Sequence, residues 1–591
     1  MPRSNKKKKK LKFIFVSGGV ISGIGKGVTT SSISLLLKSS GYKVAPIKFE
    51  NYLNLDAGTI NPIEHGDVFL CDDGTEADMD IGSYEKFLDE NMGKENFVTM
   101  GRIYKTVLDK ERAFEYNGED VEAIPSITDE IIRRTIKVSE DSNADVVIIE
   151  LGGTAGEYQN VLYYEASRIL TLRRPGDVIH IHVSYVPVPA HLGEPKTKPT
   201  QLSVKTLNSM GIQPDFIIAR SENDLDRRRL ERFALFCNMH RDDIISSPDL
   251  QTVYDIPLVL ERQRLSQKIL EKLGLKIKNP DLSSWKTILE RIKAEKKKTI
   301  EIAIVGKYFA TGDYKLRDSY AALFDAIDHA AWREKVKVVT RWIDAEEIER
   351  KGENIIGNPS GIIVPIGWGI RGAEGMIKAA SYARRNKIPY LGLCYGMQLA
   401  VIAFARDILG WTDANTTEND AKTCHPVIHL IPQQEEIMKR RAYGGTMRLG
   451  AWLAKIKSGT VAYKIYKKHN AFIDREKSIV SERHRHRFEF NKDYEKDFEE
   501  KGLVISGKSV TEGLVETIEL PKNIHPFYFG IQGHPEYKSR PGKEHPIFIE
   551  FVSSCVLSLK KEISRPLDKS FPSLPGNGET RPRVQQMIEK K

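Results

Sequence analysis

A cysteine, a histidine and a glutamate in the second half of the chain have the types and spacing of a nucleophilic site. Cys394 stands between two glycines in GLCYG, directly after the apolar run IPYL. This is the shape of a G-x-S-x-G nucleophile elbow with Cys in place of Ser, in which a sharp turn presents the nucleophile at a helix N-terminus. The later run GIQGHPEYKS supplies His534 as a base and Glu536 to orient its imidazole. The pattern predicts a Cys-His-Glu triad, and a buried inert cysteine is the alternative.

A phosphate-binding loop is predicted near the N-terminus, in the run SGGVISGIGKGVTTSS. Glycines let backbone N–H groups converge on an anion, the following helix adds its partial positive charge, and Lys26 would reach the β- and γ-phosphates. The loop departs from G-x-x-x-x-G-K-[ST], because Gly27 follows the lysine where Ser or Thr is expected. Either Thr29 or Thr30 supplies the missing hydroxyl, or magnesium relies on acids elsewhere. A tight structural turn is the alternative.

Carboxylates follow two apolar runs in the same half of the chain. The stretch DDGTEADMD supplies five acids after the run DVFL: Asp72, Asp73, Glu76, Asp78 and Asp80. Glu150 ends the very apolar strand VVIIE, at the edge where ligand sites of α/β folds form. Magnesium prefers one or two carboxylates plus phosphate oxygens and water, and burying an unpaired carboxylate is costly. Glu150 is therefore the stronger candidate, and a solvated acidic loop is the alternative reading of the five acids. Lys196 and Lys198, in GEPKTKPTQ, are a candidate second anion site or a solvated pair.

The elements that must position these residues alternate between apolar strands and helical patterns, as in KFIFVSGG, TSSISLLLKSSG and KVAPIKF. Such alternation predicts parallel sheets with helices on both faces. A second series of this kind begins near residue 299, after a lysine-rich segment. The predicted fold class is therefore α/β, with two doubly wound parallel-sheet domains. The expected divisions are a basic tail at 1–10, a phosphate-loop domain at 11–275, a linker at 276–298, a second domain at 299–560 and a disordered tail at 561–591.

Composition is typical of a soluble globular protein of two or more domains, since 40% of the 591 residues are hydrophobic and 29% are charged. The net charge is +10, and the first twelve residues supply seven positive charges and no acid. We interpret this cluster as a solvated tail, with nucleic-acid contact as the alternative. No apolar run approaches the length of a membrane span, and no signal peptide is expected.

The cysteines indicate a reducing compartment. Five of them lie far apart in the chain, without a C-x-x-C pair: Cys71, Cys237, Cys394, Cys424 and Cys555. This spacing argues against a disulfide framework or a zinc site. We therefore expect a cytoplasmic protein.

With these residues in view, the chain resembles the CTP synthase family along nearly all of residues 11–560. The matching runs include GGVISGIGKG, DDGTEADMDIGSYEKF, GEPKTKPTQ, GTMRLG and ERHRHRFE. That family joins an amidoligase (synthetase) domain, related to dethiobiotin synthetase, to a class I glutamine amidotransferase domain. The resemblance implies a glutamine-hydrolysing C–N ligase of pyrimidine biosynthesis. ATP phosphorylates O4 of UTP, a Cys394 thioester releases ammonia from glutamine, and ammonia displaces phosphate at C4 to give CTP.

The resemblance also implies roles for individual residues. ATP would be bound by Gly23, Gly25, Lys26, Gly27, Val28 and Lys48, with Arg220 and Asp249 near the adenine. UTP or CTP would be bound by Ser22, Glu157, Tyr158, Gln159, Lys196, Lys198, Gln201 and Arg232. Glutamine would be positioned by Gly367, Gln398, Glu418 and Arg487 beside Cys394, His534 and Glu536, and Mg²⁺ would be held by Asp80 and Glu150. The family further implies CTP as feedback inhibitor, GTP as allosteric activator and a homotetramer; no nucleic-acid or membrane partner is expected.

Four departures from the family pattern bear on function. Ile366 replaces the first Gly of the family's oxyanion-loop pattern P-G-G-F-G in the run PIGWG, which bears on ammonia supply. Glu122 and Ser126 replace a usual Gln and His, and GGTAGEYQN replaces G-G-T-V-G-D-I-E-S; both changes bear on pyrimidine recognition and feedback. The loop after GKY is longer than usual, which bears on the activator and on domain contact.

Two other functions stay open at this point. One is a glutamine-dependent amidoligase acting on a different nucleotide or acid, which Glu122 and Ser126 would admit. The other is a P-loop ATPase switch that binds a partner, with the second domain as a scaffold. The intact Cys-His-Glu set argues against a scaffold.

Overall fold

The computed structural model describes residues 11–311, 314–315 and 317–563. The expected basic tail at 1–10 lies outside the described residues, and so does the expected disordered tail from residue 564 onward. Within the described residues, no helix combines the length and the apolar character that crossing a membrane requires. Two large sheets define what we call the N-terminal and the C-terminal domain.

The N-terminal domain is built on a seven-stranded sheet with the order β5-β2-β6-β1-β7-β8-β9, in which every neighbouring pair is parallel. A separate hairpin is formed by β3 and β4. The strands are β1 Lys12–Gly19, β2 Val44–Glu50, β3 Val68–Leu70, β4 Glu76–Asp78, β5 Phe97–Thr99, β6 Val146–Leu151, β7 Val178–Tyr185, β8 Phe216–Ser221 and β9 Ile244–Pro248. The helices are α1 Lys26–Ser39, α2 Pro62–His65, α3 Met79–Leu88, α4 Met100–Arg112, α5 Thr128–Ser142, α6 Val161–Arg173, α7 Lys198–Ser209, α8 Arg227–Phe236, α9 Ile256–Arg262, α10 Leu265–Lys272 and α11 Ser283–Lys293. The predicted doubly wound parallel sheet is confirmed here.

Alternate residues of strand β1 enter the two hydrophobic cores that cover the sheet. Phe13 and Phe15 pack into one core, while Ile14 and Val16 pack into the other. Both faces are buried because helices cover both, which explains the continuous apolar runs seen in the sequence. Helix α11, in the expected linker, packs Trp285 into the second of these cores.

The C-terminal domain is built on a nine-stranded mixed sheet with the order β13-β10-β14-β15-β23-β22-β21-β18-β19. The strands are β10 Thr299–Gly306, β11 Ala310–Thr311, β12 Tyr314–Lys315, β13 Lys337–Asp344, β14 Gly361–Val364, β15 Tyr390–Leu393, β16 Asn415–Thr416, β17 Pro426–Leu430, β18 Arg448–Ile456, β19 Ile479–His486, β20 Phe488–Phe490, β21 Val504–Ser509, β22 Val515–Glu519 and β23 Tyr528–Ile531. The helices are α12 Ala321–Glu334, α13 Ala345–Lys351, α14 Ala373–Asn386, α15 Tyr395–Phe404, α16 Gln434–Lys439, α17 Val461–Lys468, α18 Glu495–Glu500 and α19 Pro546–Ile563.

The parallel part of this sheet runs from β13 to β23, in agreement with the predicted second α/β series that begins near residue 299. Beyond β23 the sheet continues with four antiparallel strands, which the sequence analysis did not predict. One of them, β19, carries the run ERHRH, whose polar residues gave no apolar strand pattern. Its side chains are nevertheless mostly buried, because the strand lies against the N-terminal domain.

A small hydrophobic core is shared by the two domains. It contains Phe69, Ile81 and Tyr84 of the N-terminal domain together with Ala322 and Tyr537 of the C-terminal domain. Apolar side chains from both domains therefore exclude water at this part of the contact.

Candidate active sites

The phosphate loop joins β1 to α1, as the sequence predicts. Gly23 and Gly25 have φ values of 71° and 85°, which residues with a Cβ rarely adopt. Gly25 precedes α1 and has no side chain with which to cap it, so the first amide N–H groups of the helix are not capped from that position. Lys26 donates a hydrogen bond from Nζ to the Gly153 carbonyl at 2.7 Å. Burial, followed by the nearby Lys48 cation, lowers the pKa of Lys26, so an anionic ligand would favour its protonated form.

The glycine after this lysine is explained by a carboxylate. A Cβ atom at Gly27 would lie 1.8 Å from Oδ1 of Asp80, so a side chain fits there only if the carboxylate moves. Thr29 and Thr30, the expected alternative hydroxyls, are buried in α1, and Oγ1 of Thr30 has no hydrogen-bond partner within the described part of the chain. The Asp80 carboxylate occupies the space in which an ordinary P-loop has the hydroxyl group of a Ser or Thr. This arrangement favours magnesium binding by carboxylates.

Lys48, on β2, holds the predicted metal-binding carboxylates together. Its Nζ lies 2.5 Å from Oδ2 of Asp80, 2.8 Å from Oε1 of Glu150 and 3.0 Å from Oε1 of Glu50. Tyr84 donates a hydrogen bond to Oε2 of Glu150 at 2.5 Å. Burial alone would lower the pKa of Lys48, but the three carboxylates raise it well above its usual value. The buried Glu150 is thus paired rather than isolated, as its desolvation cost requires.

These residues fit a magnesium ion in their chemistry. Two carboxylates that share one ammonium group lie beside a phosphate loop, and magnesium takes one or two carboxylates together with phosphate oxygens and water. The described residues contain no cluster of three or more His, Cys, Asp or Glu side chains able to hold a metal alone. A metal here would therefore depend on its nucleotide for further ligands.

The predicted adenine-binding residues lie next to the phosphate loop. Arg220 donates from Nη2 to Oδ1 of Asp249 at 3.1 Å. Its Nε lies 3.9 Å from the place a Cβ at Gly25 would occupy. Ser22 in the loop is exposed, and Val28 is partly buried against the core beneath α1. The arrangement brings one side chain of β8 to the mouth of the loop.

A separate basic cavity of about 690 Å³ is lined by three of the predicted UTP-binding residues, Lys196, Lys198 and Arg232. The sequence analysis missed two further arginines that line it, Arg228 and Arg229. The run DRRRLER contained a signal for them, because i and i+3 or i+4 positions share a helix face. Such a concentration of cations suits a triphosphate.

The other predicted pyrimidine-binding residues are not among those lining this cavity. Gln201 lies on α7 and donates from Nε2 to Oγ1 of Thr197 at 3.1 Å. Glu157 accepts hydrogen bonds from the backbone N–H and the hydroxyl of Thr154 at 2.8 and 2.7 Å. Tyr158 is 94% exposed, and Gln159 is also exposed. Glu157 thus stabilises the turn that begins at Thr154, whereas the side chains of Tyr158 and Gln159 face solvent.

The predicted nucleophile elbow is present between β15 and α15. Cys394 has φ 50° and ψ −102°, and its N–H donates to the Ile531 carbonyl at 2.8 Å. A Cβ at Gly396 would lie 1.9 Å from a backbone oxygen of β14, and one at Gly392 would lie 2.7 Å from the Gly396 backbone. Both glycines are therefore needed for the close approach of backbone segments that presents the thiol.

His534 and Glu536 complete the predicted triad. Nδ1 of His534 lies 2.8 Å from Oε1 of Glu536, and both side chains are buried. Burial disfavours the imidazolium, but the Glu536 carboxylate and the interaction with Cys394 outweigh it and raise the pKa of His534 to about 10. Nε2 of His534 makes no hydrogen bond of ordinary geometry among the described residues, and Cys394 is one of the neighbours that raise the pKa of the ring. The geometry suits a thiolate–imidazolium pair.

Gln532 is a site residue that the sequence analysis did not single out, although it lies in the same run as His534. Its Nε2 lies 3.5 Å from Sγ of Cys394. Its Oε1 accepts from Nε2 of Gln398 at 3.2 Å, and Gln398 also donates to the Phe488 carbonyl at 2.8 Å. The amide of Gln398, which was expected to bind glutamine, is thus engaged in orienting Gln532.

Lys307 fixes the loop that carries the predicted oxyanion donor. Its Nζ donates to the carbonyls of Trp368 at 2.5 Å and Gly369 at 2.7 Å. Tyr395 donates its hydroxyl to the same Gly369 carbonyl at 2.9 Å. Burial lowers the pKa of Lys307 to about 8. Its isolated position after β10 gave no signal in the sequence.

The amide groups of this loop are also held. Trp368 donates its N–H to the hydroxyl of Tyr308 at 3.1 Å, and Gly369 donates its N–H to Oε1 of Glu418 at 2.9 Å. Burial raises the pKa of Glu418. Glu418, expected to bind glutamine, therefore also anchors the loop.

Gly367 of this loop lies close to the nucleophile's helix. A Cβ there would lie 3.1 Å from the ring of Tyr395, which directly follows Cys394. Ile366 is 6% exposed, packs into a core of the domain and has no positive φ. Gly367 thus lies beside Tyr395, the first residue of the nucleophile's helix.

A cavity of about 600 Å³ adjoins this site and is lined by both domains. The C-terminal domain contributes Glu418, Arg485 and Arg487, and the N-terminal domain contributes residues 58–62. Arg487 donates from Nη2 to the Tyr443 carbonyl at 2.6 Å. The predicted glutamine-binding residues Glu418 and Arg487 thus line one cavity, at the contact between the domains.

Strand β19 uses its arginines to bind the acidic stretch of the N-terminal domain. Arg485 donates to Oε1 of Glu76 at 2.6 Å, and its carbonyl lies 3.9 Å from Sγ of Cys394. Arg483 pairs with Asp72 at 2.5 Å and with Glu85 at 3.0 Å. The acidic stretch is therefore neither wholly solvated nor wholly devoted to metal, because part of it docks the domains.

Comparisons with known proteins cover both sites. The family model described as CTP synthase N-terminus matches residues 12–275, and the one described as glutamine amidotransferase class-I matches residues 315–554. CTP synthase of Pyrococcus abyssi is 47% identical over 546 residues, 92% of this chain and 98% of that protein. CTP synthase of Caldanaerobacter subterraneus subsp. tengcongensis is 46% identical over 551 residues, 93% of this chain and 99% of that protein. A solved structure, the glutaminase domain of Trypanosoma brucei CTPS with bound acivicin, shows 32% identity and a TM-score of 0.38, covering 44% of this chain and 94% of that one.

Proposed function

This chain belongs to the CTP synthase family, and from that premise we propose how its residues divide the reaction. It is a glutamine-hydrolysing ligase of pyrimidine biosynthesis that uses ATP, UTP and glutamine. We propose the domain division stated above, with amination of UTP in residues 11–275 and glutamine hydrolysis in residues 299–560. The observation that carries this division is the presence in one chain of an assembled Cys394 triad and of a phosphate lysine beside paired carboxylates.

In the N-terminal domain, Lys26 and Lys48 would contact the phosphates of ATP, and Arg220 with Asp249 would flank its base. Asp80 and Glu150 would hold Mg²⁺, which when bound neutralises charge that develops in phosphoryl transfer. Lys196, Lys198 and Arg232, together with Arg228 and Arg229, would receive the triphosphate of UTP.

In the C-terminal domain, the Cys394 thiolate attacks the side-chain amide of glutamine, and the His534 imidazolium gives its proton to the departing ammonia. Glu536 holds the imidazole, and the N–H groups of Gly367 and Tyr395 would face the oxyanion. Glu418 and Arg487 would bind the charged groups of glutamine, because they line the adjoining cavity. Ammonia then passes to the N-terminal domain, whose residues 58–62 line the same cavity.

We also propose the regulation and assembly that the family implies: CTP as feedback inhibitor, GTP as activator and a homotetramer. All five cysteines are free, and four are buried, which supports a reducing cytoplasmic location. Feedback by CTP would use the retained Lys196 and Lys198, while the altered segment at 157–159 would weaken recognition of cytosine.

The test compares two nitrogen sources. The purified protein is incubated with UTP, ATP and Mg²⁺ and either glutamine or ammonia, and CTP is measured for the parent and for Cys394→Ala. The variant should lose glutamine-dependent synthesis and keep ammonia-dependent synthesis, because the thioester serves only to release ammonia. Equal loss of both activities would refute the division of labour, and absence of CTP from the parent would refute the substrate.

A further inference from the structure

Tyr537 is a residue of the C-terminal domain whose side chain is buried in the N-terminal domain's surface. It lies three positions after His534 and is 2% exposed. Its ring packs edge-on against Phe69, with centroids 5.5 Å apart and planes at 72°. Its hydroxyl donates to Oδ1 of Asp67 at 3.3 Å. The N-terminal domain therefore determines where this ring lies.

The other side of the same ring faces the catalytic imidazole. The rings of Tyr537 and His534 are stacked, with centroids 5.2 Å apart and planes at 27°. An aromatic face stabilises a cation placed over it, so this contact favours the imidazolium as well as fixing its plane. Glu536 on Nδ1 is the side-chain partner that the triad itself supplies.

The backbone of His534 is held through the same contact between the domains. Its N–H donates to the Arg483 carbonyl at 2.7 Å. The Arg483 guanidinium is completely buried; it donates to the Tyr537 carbonyl at 3.2 Å and to both carboxylate oxygens of Glu85 at 3.0 Å. Glu85 belongs to helix α3, which also carries Asp80 of the amination site.

We propose that Tyr537 is a positioning residue through which the N-terminal domain holds the imidazole of His534 in its catalytic orientation. The Glu85–Arg483 ion pair contributes to the same positioning, because Arg483 also hydrogen-bonds the backbone N–H of His534 and the backbone carbonyl of Tyr537. The glutaminase site is thus fully aligned only when the domains are docked as described. This inference rests on the proposed roles of Cys394 and His534.

The experiment uses the full chain and the variants Tyr537→Leu, Tyr537→Phe and Glu85→Gln. Tyr537→Leu should lower kcat for glutamine hydrolysis by about tenfold to a hundredfold, because small misplacements of a catalytic group have effects of that size. KM for glutamine and ammonia-dependent CTP synthesis should stay close to the parent's. Tyr537→Phe keeps the ring and should retain most activity, whereas Glu85→Gln should act in the same direction as Tyr537→Leu.

A second readout separates positioning from loss of structure. The rate of iodoacetamide modification of Cys394, followed by mass spectrometry of its peptide, is measured against pH. In Tyr537→Leu the inflection due to His534 should move to lower pH, because the imidazolium loses its aromatic neighbour. Phe498→Leu is the matched control, since Phe498 is a buried ring stacked on Phe404, with centroids 5.8 Å apart, in the same domain.

Three outcomes would overturn the inference: unchanged glutamine hydrolysis in Tyr537→Leu, an equal fall in both nitrogen-source activities, or the same change in Phe498→Leu. Cys394→Ala is assayed beside them. If that variant still uses glutamine, the proposed function fails, whatever the tyrosine variants do. If it does not, a failure of the tyrosine variants concerns Tyr537 alone.

Discussion

The two reaction sites of this enzyme differ in whether their side chains already have the arrangement that catalysis requires before ligands bind. In the C-terminal domain Cys394, His534 and Glu536 are buried, His534 is hydrogen-bonded to Glu536, and Cys394 interacts with His534 closely enough to raise its pKa. In the N-terminal domain, Asp80 and Glu150 are occupied by Lys48. Glutamine brings an uncharged amide to its site, so the catalytic groups there must be set in advance. Nucleotides and their metal ion are themselves charged. Without them, Asp80 and Glu150 of the amination site are neutralised by Lys48, and bound ligands would take over part of that role.

The variant with the largest expected effect removes a carboxylate that CTP synthesis requires with either glutamine or ammonia. Asp80→Asn should lower CTP synthesis by about 10³-fold or more with glutamine and with ammonia alike, because phosphoryl transfer depends on charge neutralisation. The measurement is CTP formation at saturating ATP, UTP and Mg²⁺. Asp73→Asn, in the same acidic stretch but exposed, is the control and should retain activity. Full activity of Asp80→Asn with ammonia would reject its role in metal binding.

The next test addresses the phosphate loop itself. Gly27→Ala places a methyl group 1.8 Å from where Oδ1 of Asp80 now lies, so the carboxylate must move. We expect both nitrogen-source activities to fall by about a hundredfold, since a displacement of this order misplaces a catalytic group. Glutamine hydrolysis measured alone should change little, because the triad lies in the other domain. A selective loss of hydrolysis would contradict the contrast between the sites.

A smaller effect is expected at the oxyanion loop. Ile366 is buried, and hydrogen bonds from Lys307 and to Glu418 hold the residues after it. Ile366→Gly should therefore leave maximal glutaminase activity similar and make it depend more on GTP, because glycine frees the peptide to turn. Hydrolysis is measured with and without GTP. An increase of about tenfold or more without GTP would show instead that isoleucine impairs the oxyanion hole.

The smallest effect is expected in feedback. Gln159 replaces a carboxylate that could accept from cytosine's amine, and charge-assisted bonds are about twice as strong as neutral ones. The double variant Tyr158→Ile, Gln159→Glu should therefore be inhibited by CTP several-fold more strongly than the parent at fixed UTP, with turnover kept. The CTP inhibition constants of both proteins decide the matter. If they are equal, this segment does not set feedback.

Sequence reasoning found the features that depend on neighbours in the chain. The conformations of the phosphate loop and of the elbow around Cys394 depend on glycines within a few residues, so the local sequence is enough to predict them. The triad followed because His534 and Glu536 stand two positions apart.

Features that depend on distant partners were missed. Asp72 and Glu76 could be recognised as docking residues only once β19 was seen to face them, more than 400 positions away. Strand β19 of the second sheet was not predicted because its arginines are buried against acids of the other domain, which leaves no apolar pattern in the sequence. Lys307 and Gln532 gave no signal, since a single polar residue after a strand is usually solvated.

The missing hydroxyl of the phosphate loop has an evolutionary consequence. Because the Asp80 carboxylate fills the space beside Gly27, the two positions cannot change independently. A serine or threonine at position 27 fits only if the Asp80 carboxylate moves, and that movement displaces the proposed metal ligand. A single step back to an ordinary P-loop is therefore expected to lower activity unless the residue at position 80 changes with it.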